Sequence, residues 1–159
     1  MICPAKIRPP EGFANSLERK DLLKEIRNRE TAILVLHGKA GYGKTEFARQ
    51  ICEVFEGRTV WYRMDSSDND PAQFREYLNA LFSRCLPGYG DGKENFSFPQ
   101  ILSQAEKALE AESKGVLLVL DSFEAIQNKE ILQEFRQTAV QLGGKIRLCL
   151  ITRGKIPDF

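Results

Sequence analysis

Gly38-Lys39-Ala40-Gly41-Tyr42-Gly43-Lys44-Thr45 is the stretch of this 159-residue chain whose residue types and spacing most clearly dictate a chemistry. It satisfies the phosphate-binding loop pattern G-x-x-x-x-G-K-[ST] in full. The apolar run Ala32 to Leu36 leads into it, and a helix-period stretch from Glu46 to Phe55 follows. Glycines let successive backbone N–H groups turn inward as an anion nest, and the helix N-terminus behind them adds partial positive charge. A lysine in the Lys44 position reaches the β/γ-phosphates, and a hydroxyl in the Thr45 position ligates Mg²⁺. Gly38 to Glu46 is therefore the expected binding segment for a nucleoside triphosphate or diphosphate. The plainer reading is a glycine-rich turn between a strand and a helix.

A nucleotide's magnesium needs a second anchor. Asp121, directly after the apolar run Val116-Leu117-Leu118-Val119-Leu120, can hold the ion's water shell opposite Thr45, because Mg²⁺ keeps several waters and few protein ligands. Its alternative role is a strand-end cap. Glu124 either polarises an attacking water or simply starts the next turn. Arg153 follows the last predicted strand. In an open parallel sheet, ligands sit at the carboxyl ends of strands, so its planar fork is on the edge where it could report on a γ-phosphate. Otherwise it is a solvated surface arginine.

These residues need a scaffold, and the composition supplies one. With 42% hydrophobic and 28% charged residues, the chain reads as one ordinary soluble domain with a real core. No apolar run approaches the ~20 residues of a membrane span, and Met1 to Lys6 has no signal-peptide core. A net charge of +1 without a basic stripe argues against nucleic-acid contact by these residues. Cys3, Cys52, Cys85 and Cys149 form no CxxC pair, so neither a zinc site nor a disulfide framework is expected. Cys52 and Cys149 fit as small buried hydrophobes, and a reducing, cytoplasmic compartment suits all four. The lone His37 is either structural or a nucleotide contact.

The first fifteen residues, with Pro4, Pro9 and Pro10, read as an extended lead-in. Ser16 is a candidate cap for a helix over 17–29. Strands are predicted over 31–36, 58–64, 116–120 and 146–151. Helices are predicted after the phosphate loop, over 71–85 with Asp70 as cap and Pro71 first, over 98–112 and over 129–142. Asp65 to Asp70 forms an acidic turn, Leu86 to Asn95 the long loop, and Gly143-Gly144 a helix stop. Alternating strands and helices predict a parallel α/β sheet.

Taken in order, these motifs resemble the nucleotide-binding domain of the STAND ATPases, in the subgroup of the maltose-regulon activator MalT and the large LuxR-type regulators. Lys6-Ile7-Arg8-Pro9-Pro10 is similar to the subgroup's K-[LI]-x-x-P opening, and Arg19 to Leu23 to its R-x-x-L-L helix start. Trp61 to Asp65, Asp68-Asn69-Asp70, Phe74 and Tyr77-Leu78 resemble its W-[YL]-x-L-D-x-x-D-N-D block. Leu117 to Asp121 matches the magnesium-anchoring strand, and Leu150-Ile151-Thr152-Arg153 its L-[ST]-R sensor.

The resemblance implies a P-loop NTPase αβα sandwich with strand order 2-3-4-1, cut before a fifth strand, so that the phosphate-loop strand forms an exposed edge. It implies an ATP/ADP switch with Mg²⁺ and weak ATPase activity at most. ATP and an inducer would drive self-association in a longer protein of which this is an N-terminal fragment. The loop role falls on Gly38 to Thr45, the magnesium role on Asp121 and the sensor role on Arg153. Ser122 stands where the subgroup has a second acid, which leaves hydrolysis slow or dependent on Glu124.

Three rivals are weaker. A small phosphotransferase needs an arginine-rich lid, and Leu86 to Asn95 has no arginine. A GTPase needs N-K-x-D, and Asn128-Lys129-Glu130-Ile131 lacks the aspartate. The third is a scaffold with a vestigial site.

Overall fold

The four apolar runs form parallel strands, as near-continuous hydrophobic segments must when helices cover both sheet faces. The computed structural model describes residues 1–12, 17–28, 31–90, 95–142 and 144–155. The strands are β1 (Ile33–His37), β2 (Arg58–Arg63), β3 (Val116–Asp121) and β4 (Ile146–Thr152), in the order β1-β4-β3-β2. This is the order expected from the resemblance, with the phosphate-loop strand at the sheet edge among the described residues.

Among the described residues, five α-helices cover the sheet: α1 (Lys20–Asn28), α2 (Lys44–Val54), α3 (Pro71–Cys85), α4 (Phe98–Leu109) and α5 (Lys129–Gln141). β3 is buried along its whole length, and its residues alternate between two cores. Leu118 and Leu120 face α3, α4 and α5 with Phe74, Phe82, Phe98 and Phe135. Leu117 and Val119 face α1 and α2 with Leu23, Phe47 and Ile51. The result is the expected three-layer sandwich. Each fully buried Leu or Phe contributes roughly 1.5–3 kcal/mol of transfer free energy, so the larger core is the main clamp on β3. An aromatic run crosses that core: Tyr62 to Phe74 (5.9 Å), Phe74 to Phe98 (5.8 Å), Phe98 to Phe135 (5.6 Å) and Phe135 to Phe123 (4.9 Å). It ties the residue beside Glu124 to β2.

Local signals hold where a single interaction decides them. The Asp70 side chain accepts a hydrogen bond from the Ala72 amide (3.0 Å) and Pro71 opens α3. Two regions differ from expectation. The lead-in is not wholly extended, because Pro4–Ile7 makes a 3₁₀ turn against β2. The acidic turn after β2 winds into a second 3₁₀ helix, Ser66–Asn69, whose capping partners are its own aspartates. Ser16, Gly143 and part of the 86–95 loop lie outside the described residues. Among the described residues, no helix is long and apolar enough to cross a membrane.

Candidate functional site

The loop between β1 and α2 turns on backbone that favours glycine: Gly41 has φ 85° and Gly43 has φ 70°. α2 starts immediately afterwards, its first bond running from the Phe47 amide to the Gly43 carbonyl (2.9 Å). Lys44 curls back over the loop, its Nζ donating to the Gly38 carbonyl and to the Lys39 carbonyl (2.6 Å). A second cation sits outside it. The Arg19 guanidinium donates to the Tyr42 carbonyl (2.9 Å) and lies over the Phe47 ring, 5.6 Å from its centroid.

Asp121 ends β3 and is only 6% exposed. Burial pushes its carboxyl up from the ordinary value, against the charge of Arg63, whose Nε lies 3.7 Å away. The buried Trp61 indole N–H also favours the ionised form, without reaching full hydrogen-bond geometry to any acceptor. The next residue, Ser122, is the one non-glycine with left-handed backbone among the described residues (φ 63°). It turns the chain into the 3₁₀ helix Phe123–Ala125, where the Phe123 ring is buried and Glu124 is half-buried. Glu124 Oε2 accepts a hydrogen bond from the Arg153 amide (3.1 Å), which joins the end of β4 to the turn after β3.

These elements converge. Ala40, Gly41, Gly43, Lys44, Thr45, Glu46, Asp121, Glu124 and Arg153, residues separated by up to 113 positions, line one cleft of about 430 Å³. The donor set suits a phosphate chain with a hard cation: loop amides and an ammonium on one wall, a hydroxyl and a buried carboxylate for the ion's waters on the other. Gly38, Lys39 and Tyr42 belong to the same loop but do not line the cleft. Tyr42 projects to solvent, and the Gly38 and Lys39 carbonyls hold Lys44. His37 is exposed and lines a different space, an apolar groove of about 530 Å³ along β1. That groove is larger than the cleft, but it contains neither Thr45, Asp121, Glu124 nor Arg153.

Cys52, Cys85 and Cys149 are structural in setting, whereas Cys3 is exposed. Cys149 is buried, and burial pushes the half-buried Cys52 thiol up to about 12, away from nucleophilic chemistry at neutral pH. No group of three or more metal-ligating side chains occurs among the described residues.

The sequence reading missed Arg63 and Arg19 as contributors to this site. Arg63 was hidden because its closeness to Asp121 depends on the β2–β3 register, which pairs the two residues directly. In sequence Arg19 reads only as a helix-start residue, because its reach to the loop depends on how α1 packs on α2.

The profile of the family described as AAA domain matches residues 26–156. The HTH-type transcriptional regulator MalT of Serratia proteamaculans is 27% identical over 161 residues, spanning 96% of this chain and 18% of its own length. MalT of Yersinia enterocolitica is 26% identical over 144 residues, with 86% and 16% covered. MalT of Yersinia pestis is 28% identical over the same length and coverage. The chain thus spans less than a fifth of the length of these relatives. The resemblance to MalT-type regulators read from the motifs is borne out across nearly the whole sequence.

Proposed function

This chain belongs to the AAA domain family, and from that premise we propose that it is the ATP/ADP-binding switch domain of a MalT-type transcriptional regulator. The observation that carries the reading is the convergence of Lys44, Thr45, Asp121, Glu124 and Arg153 on one cleft. A bound nucleotide with Mg²⁺ would supply a phosphoanhydride and the cation that neutralises it. The chain's own groups divide the remaining work. The amides of Ala40, Gly41 and Gly43 and the Lys44 ammonium would hold the phosphate chain, with Gly38, Lys39 and Tyr42 completing the loop and Glu46 in the first turn of α2. Thr45 and Asp121 would hold the cation, the hydroxyl as a ligand and the carboxylate as a partner for its waters. Arg153 offers its guanidinium to the terminal phosphate, and Glu124 a carboxylate to orient a water.

Glu124 is held by the Arg153 amide, and Ser122 supplies no second acid. Turnover is accordingly slow, and the domain serves as a binding switch. In the longer protein, ATP together with an inducer would promote self-association in the cytoplasm. DNA contact would fall to other parts of that protein, since this chain has a net charge of +1 and no basic stripe.

The test is thermal unfolding with ADP, ATP and GTP, with and without Mg²⁺, on the native chain and Lys44→Ala. Ligand at about 100 times its dissociation constant stabilises by about 2.7 kcal/mol, a shift of several degrees for a domain of this size. Adenine-specific shifts are expected, and Lys44→Ala should weaken binding about tenfold or more by removing charge-assisted hydrogen bonds. Equal shifts in both proteins would overturn the site.

A further inference from the structure

We infer that Asn69 is a positioning residue for Glu124, and that the Asp65–Asp70 turn exists to hold the cleft's carboxylate in place. Asn69 closes the 3₁₀ helix after β2 and is 55 positions from Glu124 in sequence. Its side chain nonetheless grips the turn that follows Glu124. Oδ1 accepts from the Gln127 amide (2.7 Å) and the Asn128 amide (2.9 Å). Nδ2 donates to the Ala125 carbonyl (2.7 Å) and to the Ser66 carbonyl (3.1 Å). The Asn69 carbonyl accepts from Asn128 Nδ2 (2.9 Å). A primary amide has two N–H donors and one oxygen with two lone pairs, and all four valences are used. Aspartate could accept but not donate, and glutamine is one methylene too long for the same fork.

The grip is stiff at both ends. On its own side, Asn69 follows Asp68, which is fully buried and accepts from the Tyr62 hydroxyl (2.8 Å), the Lys6 ammonium (2.8 Å) and the Asp65 amide (2.8 Å). On the far side, Phe123 is fixed in the aromatic run against Phe135. Glu124 therefore sits between a core anchor one residue before it and an amide clamp one to four residues after it. The left-handed Ser122 fits this arrangement, because non-glycine residues stay in that region only where the surroundings over-determine them. With its neighbours fixed, Glu124 is directed toward the Arg153 amide and the cleft.

The inference rests on the proposed placement of Glu124 near the terminal phosphate, and a set of variants separates the two. Dissociation constants for Mg·ATP and Mg·ADP would be measured by calorimetry on the native chain, Glu124→Ala, Asn69→Ala, Asn69→Asp and the Asn69→Ala/Glu124→Ala pair. Removing a carboxylate charge beside the γ-phosphate should tighten Mg·ATP about two- to fivefold while leaving Mg·ADP unchanged. Asn69→Ala should tighten Mg·ATP in the same direction, with Asn69→Asp in between because it keeps the two accepting bonds. The double variant should match Glu124→Ala alone. If Glu124→Ala leaves the ATP/ADP ratio unchanged, the reading of Glu124 fails and the inference falls with it. If Glu124→Ala shifts the ratio and the Asn69 variants weaken both nucleotides equally, or shift neither, Asn69 is merely a loop closure. Should Asn69→Ala not fold, Asn69→Asp with faster hydrogen exchange at the Gln127 and Asn128 amides decides the matter alone: a shifted ATP/ADP ratio supports the inference, and an unshifted one overturns it.

Discussion

Arg63 and Asp121 are direct partners in the β2–β3 register, and the Arg63 Nε lies 3.7 Å from Asp121 Oδ2 at the ends of the two strands. A guanidinium thus sits beside the carboxylate that is proposed to hold magnesium's water shell. The pair is partly exposed, with Arg63 at 45%, so its contribution is modest and salt-dependent.

Arg63→Gln should therefore lower the Mg²⁺ concentration needed to stabilise the ATP complex about two- to fivefold at low salt. The difference should fade as ionic strength rises. Titrating Mg²⁺ against the unfolding midpoint in saturating ATP measures it. A higher Mg²⁺ requirement in the variant would show that Arg63 assists the site and does not compete with the cation.

Arg153→Ala should weaken Mg·ATP by about tenfold and leave Mg·ADP near its native affinity. The lost interaction is a charge-assisted hydrogen bond discounted for an exposed side chain. Glu124's partner is the Arg153 backbone amide, which the substitution retains. Calorimetry with both nucleotides separates a γ-phosphate sensor from a surface arginine, which would alter neither.

Ser122→Gly should raise the stability of the free protein by about 1 kcal/mol, because glycine accepts the left-handed backbone without the steric cost. Denaturant unfolding gives the value directly. Glycine would also loosen the turn that holds Glu124, so tighter Mg·ATP binding with unchanged Mg·ADP, alongside higher stability, is the expected pattern.

Lys6 ties the lead-in to the turn after β2. Its ammonium bonds Asp68 (2.8 Å) and Asp65 (2.9 Å). Partial burial opposes the charge on Lys6, but the two aspartates outweigh it, so its pKa lies above the ordinary value. Asp65 is lowered from 3.8 to about 2, chiefly by the Ser67 hydroxyl and then by Lys6. A depressed carboxylate contributes stability that is present above pH 3.8 and lost as pH falls toward 2. The raised lysine contributes stability below pH 10.5 that is lost above it. Lys6→Met should cost about 2–3 kcal/mol at neutral pH by leaving the buried Asp68 short of a cation. It should also flatten part of the acid limb between pH 4 and 2 in a stability–pH series.

Much of this molecule was legible because single interactions set it. Asp70-Pro71 could hardly do anything but open a helix. Val116 to Leu120 could hardly be anything but a strand covered on both faces. The phosphate loop is a local object, since its amides, Lys44 and Thr45 lie within eight consecutive residues and need no distant partner. The acidic turn was legible only as a turn. Asp65, Asp68, Asn69 and Asp70 look alike in sequence, yet one caps a 3₁₀ helix, one is buried on Lys6 and Tyr62, one grips the 125–128 segment and one caps α3. Their differences come from which partner the fold delivers to each.

By itself, then, the sequence determined the α/β alternation, the phosphate loop and the acid that ends β3. Each of these is written in residues close enough along the chain to interact through local geometry. Only the tertiary structure decided that Arg63 faces Asp121, that Glu124 is held by the Arg153 amide and that Asn69 clamps the turn beside it. Those pairings depend on parallel-strand register and on crossovers of dozens of residues. A parallel strand carries no local signal for its neighbour, because the packing of both cores on β3 sets the alignment.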